Sequence, residues 1–316
     1  MMRDLKIVFA TDFHGSEVCF RKVFNLAERA AADAVVLGGD WTGKALLPMI
    51  RTKSGYRTEL LGQVVQTSSE QELAELEKRV RFNGFYPFRC EQDEYDAMLA
   101  SDDLRDELFT REMVHSVERW IDIAEDKLSG SERICVSLPG NDDEWAIDEA
   151  LNKSTRVLNS DQTVIDAGDY RILGFGASNE TPWKTPRELS EDDIYGRLTA
   201  LAQGAEEPLI ANLHVPPFRS TLDNAPQLTE NLEIVKEAGV PVIVPVGSRG
   251  VRRFLEEAQP CLGLHGHIHE SRSHAKLGDC FVLNPGSEYS SGVLRAAVIT
   301  VDLKKRRVKG HQFVSG

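Results

Sequence analysis

The chain has 316 residues, of which 41% are hydrophobic and 28% charged, a globular mix able to fill one large domain or two small ones. No apolar stretch reaches the ~18 residues that a membrane span needs, and the net charge of −13 speaks against a long nucleic acid as the main partner. Cys19, Cys90, Cys135, Cys261 and Cys280 are odd in number and lack CxxC spacing, so they read as reduced core residues and not as a disulfide frame or zinc knuckle.

In chain order, Leu5 to Ala10 is too short an apolar run for a signal peptide and reads as a first strand, which makes the cytosol the expected compartment. Val18, Phe20, Val23, Phe24, Leu26, Ala27 and Ala30 recur at helical spacing, and Ala34 to Leu37 is a second buried strand. Strand, helix, strand implies a parallel pair with a crossover helix. Residues 43–130 break the rhythm and read as a helical insertion or cap. Within it, Ser69 to Glu72 forms a capping-box pattern. Residues 91–112 are strongly acidic, and Met113, Val117, Trp120, Ile121, Ala124 and Leu128 mark one face of a long helix.

Strands resume at Arg133 to Leu138, Thr163 to Asp166, Tyr170 to Phe175 and Leu209 to His214. Ser248 to Glu257 reads as a helix, Cys261 to Leu264 as a short strand, and the tail as successive antiparallel strands. Two sheets packed face to face with helices outside accommodate this order.

Five short motifs fall where those strands run out: Asp12-Phe13-His14, Gly39-Asp40, Gly140-Asn141, His214 and Gly266-His267-Ile268-His269. Together they offer two carboxylates, one amide oxygen and four imidazoles, enough to hold two divalent ions. Residues i and i+2 of an extended chain point the same way. Asp12 and His14 therefore share a side with Phe13 turned inward, as do His267 and His269 with Ile268 turned away. Asp40, after two glycines, is placed to bridge two ions. Mixed imidazole and carboxylate ligation suits Mn, Fe, Zn, Co or Ni better than Ca or Mg. Two such ions ~3.5–4 Å apart can hold a hydroxide and clamp a phosphoryl group, so no serine or cysteine nucleophile is required. His265 reads as a structural neighbour of the cluster, and His115, His274 and His311 as ordinary structural histidines.

In this order the motifs resemble the calcineurin-like metallophosphoesterases, over residues 5–269 apart from the insertion. Asn284-Pro285-Gly286-Ser287 is also similar to a loop those proteins carry after the last motif. The resemblance implies an α/β fold, a four-layer αββα sandwich of two mixed β-sheets, with residues 1–316 as a single domain bearing the helical insertion. It implies that Asp12, His14, Asp40 and His269 hold one metal, and that Asp40, Asn141, His214 and His267 hold the other. It also implies a hydrolase of small phosphate mono- or diesters.

One position departs from the family pattern. A histidine often follows the Gly-Asn pair and serves as general acid, but here Asp142 and Asp143 follow. A carboxylate near two cations is expected to be ionised and unable to donate a proton. Asp142 is therefore expected to turn away, contact a metal-bound water or act through a raised pKa. Asp143 is expected to make a structural hydrogen bond. Catalysis would then rest on Asp40, Asn141 and Asp142. Arg219 reads equally as a phosphate contact or a surface arginine, and Lys184 is a weaker candidate of the same kind. Arg249 stands at a helix start whose N–H groups could hold an anion, with Ser248 as plain N-cap the competing reading. From another class, a metal-bearing interaction scaffold with lost catalysis fits the missing histidine.

Overall fold

The computed structural model describes residues 4–205 and 208–316. Two sheets form its centre. In the first, the order is Arg307–Ser315, Arg295–Asp302, Leu5–Ala10, Ala34–Leu37, Ile134–Ser137, Val157–Asn159. The last four run parallel to their neighbours, and the C-terminal pair joins Leu5–Ala10 antiparallel. The second has the order Arg171–Phe175, Leu209–Leu213, Leu262–Leu264, Cys280–Asn284, Ser273–Leu277, parallel except for the last strand.

Side-chain alternation assigns the layers. Ile7, Phe9, Ala34, Val36 and Val136 of the first sheet pack against Ile172, Ile210, Leu262, Leu264 and Leu283 of the second. The intervening Val8, Ala10, Val35, Leu37 and Cys135 face the helices Glu17–Arg29 and Asp102–Leu128. On the far side Leu173, Phe175, Ala211, Leu213 and Val282 meet Glu191–Ala202 and Arg249–Ala258. Both faces of every central strand are buried, as parallel sheets require. The result is the expected αββα sandwich, and all five cysteines are free and buried.

The insertion differs from the expectation. It is not simply helical but carries a four-stranded sheet in the order Gln63–Thr67, Gly55–Leu60, Ala45–Thr52, Phe85–Cys90, packed on helix Glu70–Phe82. Within Gly55–Leu60, Tyr56, Thr58 and Leu60 are buried while Arg57 and Glu59 are exposed. This period of two belongs to a strand, and turns before Gly55 and at Leu61-Gly62 close the meander. Ser69 caps Glu70–Phe82 by accepting from the Glu72 amide at 3.2 Å, while the Glu72 carboxylate reaches the Ser68 amide instead of closing the box on Ser69. Helix Asp102–Leu128 ties insertion to sandwich, with Leu108 in the insertion's core and Met113 to Leu128 in the main one.

Candidate metal centre

The motif residues follow the C-terminal ends of parallel strands in both sheets, where open α/β folds place ligand sites. Each loop turns sharply. Asp12, His14, Asp40 and His267 all have positive φ, between 42° and 66°. For non-glycine residues this conformation is costly and collects at functional sites. Phe13 is 1% exposed and meets Phe20 and Trp120 edge-on, which pins Asp12 and His14 on the opposite side. At Gly266 a Cβ would lie 2.2 Å from Thr11 Oγ1 and 2.5 Å from Asp12 Oδ2, so the backbone approach requires glycine.

Two groups of ligand-type atoms result, Asp12, His14, Asp40 and His269 in one and Asp40, His214 and His267 in the other, each within a 4.8 Å spread. Metal bonds of ~2.1 Å place adjacent ligand atoms about 3.0–3.4 Å apart in octahedral or tetrahedral arrangement. The donors come close to this spacing. In the first group His14 Nε2 is 3.1 Å from His269 Nε2 and 3.4 Å from Asp40 Oδ2, and His269 Nε2 is 3.5 Å from Asp12 Oδ1. In the second, His214 Nε2 is 3.4 Å from the same Asp40 Oδ2. Asn141 Oδ1 lies 2.9 Å from His214 Nε2 and 2.7 Å from His267 Nδ1. One carboxylate oxygen thus faces both groups, and their imidazole and carboxylate donors could hold divalent metal.

The surroundings orient these donors. His214 Nδ1 is 2.7 Å from the Gly38 carbonyl, which makes Nδ1 the protonated nitrogen and turns Nε2 into the site. The His267 amide donates to both Asp12 carboxylate oxygens at 3.0 and 3.1 Å. Asn141 Nδ2 donates to Thr185 Oγ1 at 2.8 Å, so its oxygen is left for the site. Asp143, fully buried, accepts from the amides of Trp41, Thr42 and Gly140 and from the Thr42 hydroxyl. It clamps the Asp40 loop to the Asn141 loop. The Asn284 amide donates to the Gly266 and Ile268 carbonyls and the Ser287 hydroxyl to the Asp12 carbonyl, so the loop after the last motif buttresses the cluster.

Electrostatics follow from crowding without cations. Burial favours a neutral Asp12, but the His269 hydrogen bond and the surrounding imidazoles outweigh it and hold that carboxyl well below the usual range. Asp40 goes the other way: burial, reinforced by Asp142 and Asp12 and opposed by His214, raises it to about 6. Burial pushes His14 down, and pushes His267 down to about 3. His214 rises to about 10 because Asp40 overcomes its burial. His14 Nδ1 is buried without a hydrogen-bond partner. Neutral imidazoles and ionised carboxylates are the forms that bind metal.

The remaining expectations divide. Asp142 lies beside the cluster. Its amide donates to Asp40 Oδ1 at 3.1 Å, its carboxylate is 3.7 Å from His14 Nδ1, and Lys44 Nζ meets it at 2.8 Å. His265 is fully buried, its Nδ1 2.9 Å from the Leu213 carbonyl, and burial lowers it to about 4, as a structural histidine would be. His115 is exposed, and His274 packs at a tilt against His311, ring centroids 4.4 Å apart, and stacks on Phe281.

The helix N-terminus at Arg249 is already filled. Glu191 accepts from the Ser248 hydroxyl and the Gly250 amide at 2.6 and 2.7 Å, and Ser248 caps Val251 at 3.1 Å. The N-cap reading holds, and the backbone anion site is occupied by the chain's own carboxylate. Arg219 and Arg249 are exposed and flank the Phe218 ring at 5.2 and 4.1 Å. Lys184 is exposed, next to the Thr185 that holds Asn141.

Three residues at the centre were invisible to motif reading. Lys44 and Thr185 lie outside every motif. Tyr289, whose ring packs 4.6 Å from His14 and 5.7 Å from His269, is signalled only by its position just after the Asn284 loop.

No family model matches the chain. Over 156 residues it is 31% identical to the uncharacterized protein MJ1162 of Methanocaldococcus jannaschii. That match takes in 49% of this chain and 63% of the relative, so the chain spans less than two thirds of its relative's length. Among solved structures, TT1561 of Thermus thermophilus aligns over 99% of both chains at 15% identity, with a TM-score of 0.53. The two share a fold. YfcE, a phosphoesterase from E. coli, aligns over 98% of both chains at 11% identity with a TM-score of 0.32, a likeness too remote to bear on activity. No helix among the described residues is long and apolar enough to cross a membrane.

Proposed function

We propose that this chain is a dinuclear-metal phosphoesterase that hydrolyses a small phosphate mono- or diester. The observation that carries the reading is the single Asp40 oxygen shared by two groups of ligand atoms, 3.4 Å from His14 Nε2 on one side and 3.4 Å from His214 Nε2 on the other. Asp12, His14, Asp40 and His269 would hold one ion, and Asp40, Asn141, His214 and His267 the second. Bound there, two divalent ions would supply a nucleophile from water at neutral pH and neutralise charge building on the phosphoryl oxygens. The protein's own part is preorganisation. Asp143 locks the Asp40 and Asn141 loops, Thr185 turns the Asn141 amide, and Gly38 selects the His214 tautomer. A catalytic centre explains four strained ligand residues and a rigid supporting shell better than a scaffold does, because a scaffold gains nothing from ligand atoms fixed to a few tenths of an ångström.

The acidic insertion begins just after the Asp40 loop and is expected to shape access without lending ligands. The test is a Mn-supplemented screen of phosphomonoesters, phosphodiesters and nucleotides, with duplex DNA as the polyanion that the insertion should exclude. Turnover of a small ester that is abolished by chelation and restored by Mn is the expected result. No turnover of any member by metal-replete protein, or efficient cleavage of the duplex alone, contradicts the reading.

A further inference from the structure

Lys44 closes the Asp40 loop, just before the strand Ala45–Thr52, and the backbone leading to it is held by buried hydrogen bonds. The Asp143 carboxylate holds the amides of Trp41 and Thr42 at 3.1 and 2.9 Å, and the Tyr86 hydroxyl accepts from the Gly43 amide at 2.6 Å. At Gly43 a Cβ would lie 2.1 Å from the Gly84 carbonyl oxygen, so the backbone packs closely there and only glycine fits. From that anchor the side chain, 59% exposed, brings Nζ to 2.8 Å from Asp142 Oδ2. The Asp142 backbone is held by its amide, which donates to Asp40 Oδ1 at 3.1 Å, and its carboxylate lies 3.7 Å from His14 Nδ1.

An ammonium has three donors, and among the described residues Asp142 is the one ion-pair partner of Lys44. Burial disfavours the charge on Lys44, but the hydrogen bond and charge of Asp142 prevail and raise its pKa. A surface ion pair for stability alone is worth little, roughly 0–1 kcal/mol, and does not call for an anchor of this kind.

We infer that Lys44 is an anion-binding side chain of the site, its ammonium held by Asp142 so that the remaining N–H groups meet oxygens of the substrate's phosphoryl group. This rests on the phosphoesterase reading above and assigns that site a cation from the protein itself. A hydrogen bond donated by a charged group to an anionic oxygen is worth about 1.5–3 kcal/mol, which corresponds to roughly 10–150-fold in affinity.

The experiment is isothermal titration of inorganic phosphate into Mn-loaded wild type, Lys44→Ala, Lys44→Gln and Lys44→Arg, with Mn content and melting temperature measured on the same samples. Because the side chain is mostly exposed, all four should fold and carry equal metal. Phosphate affinity should fall at least about 10-fold in the Ala and Gln variants, the lower end of that range, and recover most of it in the Arg variant. Equal affinities in wild type and Lys44→Ala, with equal metal bound, overturn the inference and leave the phosphoesterase reading standing. Wild type that takes up no metal, or takes it up without binding phosphate, overturns that reading and the inference with it.

Discussion

Replacing Asp143 tests whether the centre is built by its supporting shell. The carboxylate is 0% exposed and accepts four hydrogen bonds: Oδ2 from Trp41 N and Gly140 N at 3.1 and 2.8 Å, Oδ1 from Thr42 N and Thr42 Oγ1 at 2.9 and 2.7 Å. Each bond to a charged acceptor contributes about 1.5–3 kcal/mol. A simple sum overshoots, because the bonds form one network and removing the carboxylate also removes its desolvation cost. Asp143→Ala strands three buried amides and should cost about 3–4 kcal/mol, a large share of a typical 5–15 kcal/mol. Asp143→Asn should cost less, about 1–2 kcal/mol. Its NH₂ can face Thr42, whose hydroxyl turns to accept, so one amide is stranded.

The assay is urea unfolding in EDTA, followed by tryptophan fluorescence from the buried Trp41 and Trp120. Both variants should also bind Mn more weakly, since Asp143 joins the loops that carry Asp40 and Asn141. A loss below about 1 kcal/mol for Asp143→Ala, within the range of a single neutral hydrogen bond, would refute the reasoning.

Asp40→Asn should abolish ester hydrolysis while leaving the circular dichroism spectrum intact. Its Oδ2 is the one atom facing both groups, so near-wild-type turnover in Mn would place the bridge elsewhere. Gly266→Ala should lower Mn stoichiometry, because the added methyl collides with Asp12 Oδ2; unchanged metal content would show that the loop can yield. Lys44, with its pKa raised, keeps its proton at neutral pH and is a poor general acid, so aryl phosphates should turn over well and alkyl phosphates slowly. General acid catalysis is worth about 10²–10⁴-fold where present. Similar rates for the two classes, with alkyl esters selectively slowed in Asp142→Asn, would make Asp142 the acid.

The parts of the centre that sequence discloses are those tied to strand ends. Asp12, His14, Asp40, Asn141, His214, His267 and His269 each follow a short apolar run, and the alternation of Ile7 and Phe9 with Val8 and Ala10 already marks a strand buried on both faces. What sequence hides comes from long-range placement. Lys44 meets Asp142, and Thr185 meets Asn141, across long stretches of chain, and no spacing rule connects them. The filling of the Arg249 helix start by Glu191 is hidden for the same reason. The insertion's sheet is a different failure. Tyr56, Thr58 and Leu60 alternate openly with Arg57 and Glu59, but the strong helical period further along the same segment dominates the reading. Positive φ at Asp12, His14, Asp40 and His267 is set by loop closure and leaves only a weak trace in residue type, since aspartate and histidine, though favoured there, occur freely in ordinary conformations too.

Metal stoichiometry tests the central claim most directly. Protein purified through Mn-containing buffer, passed over a desalting column and measured by elemental analysis should approach two equivalents per chain. In Asp40→Asn, measured alongside, the value should fall. Wild-type protein that remains near zero under metal-replete conditions would contradict the account, because seven converging donors would then hold no ion.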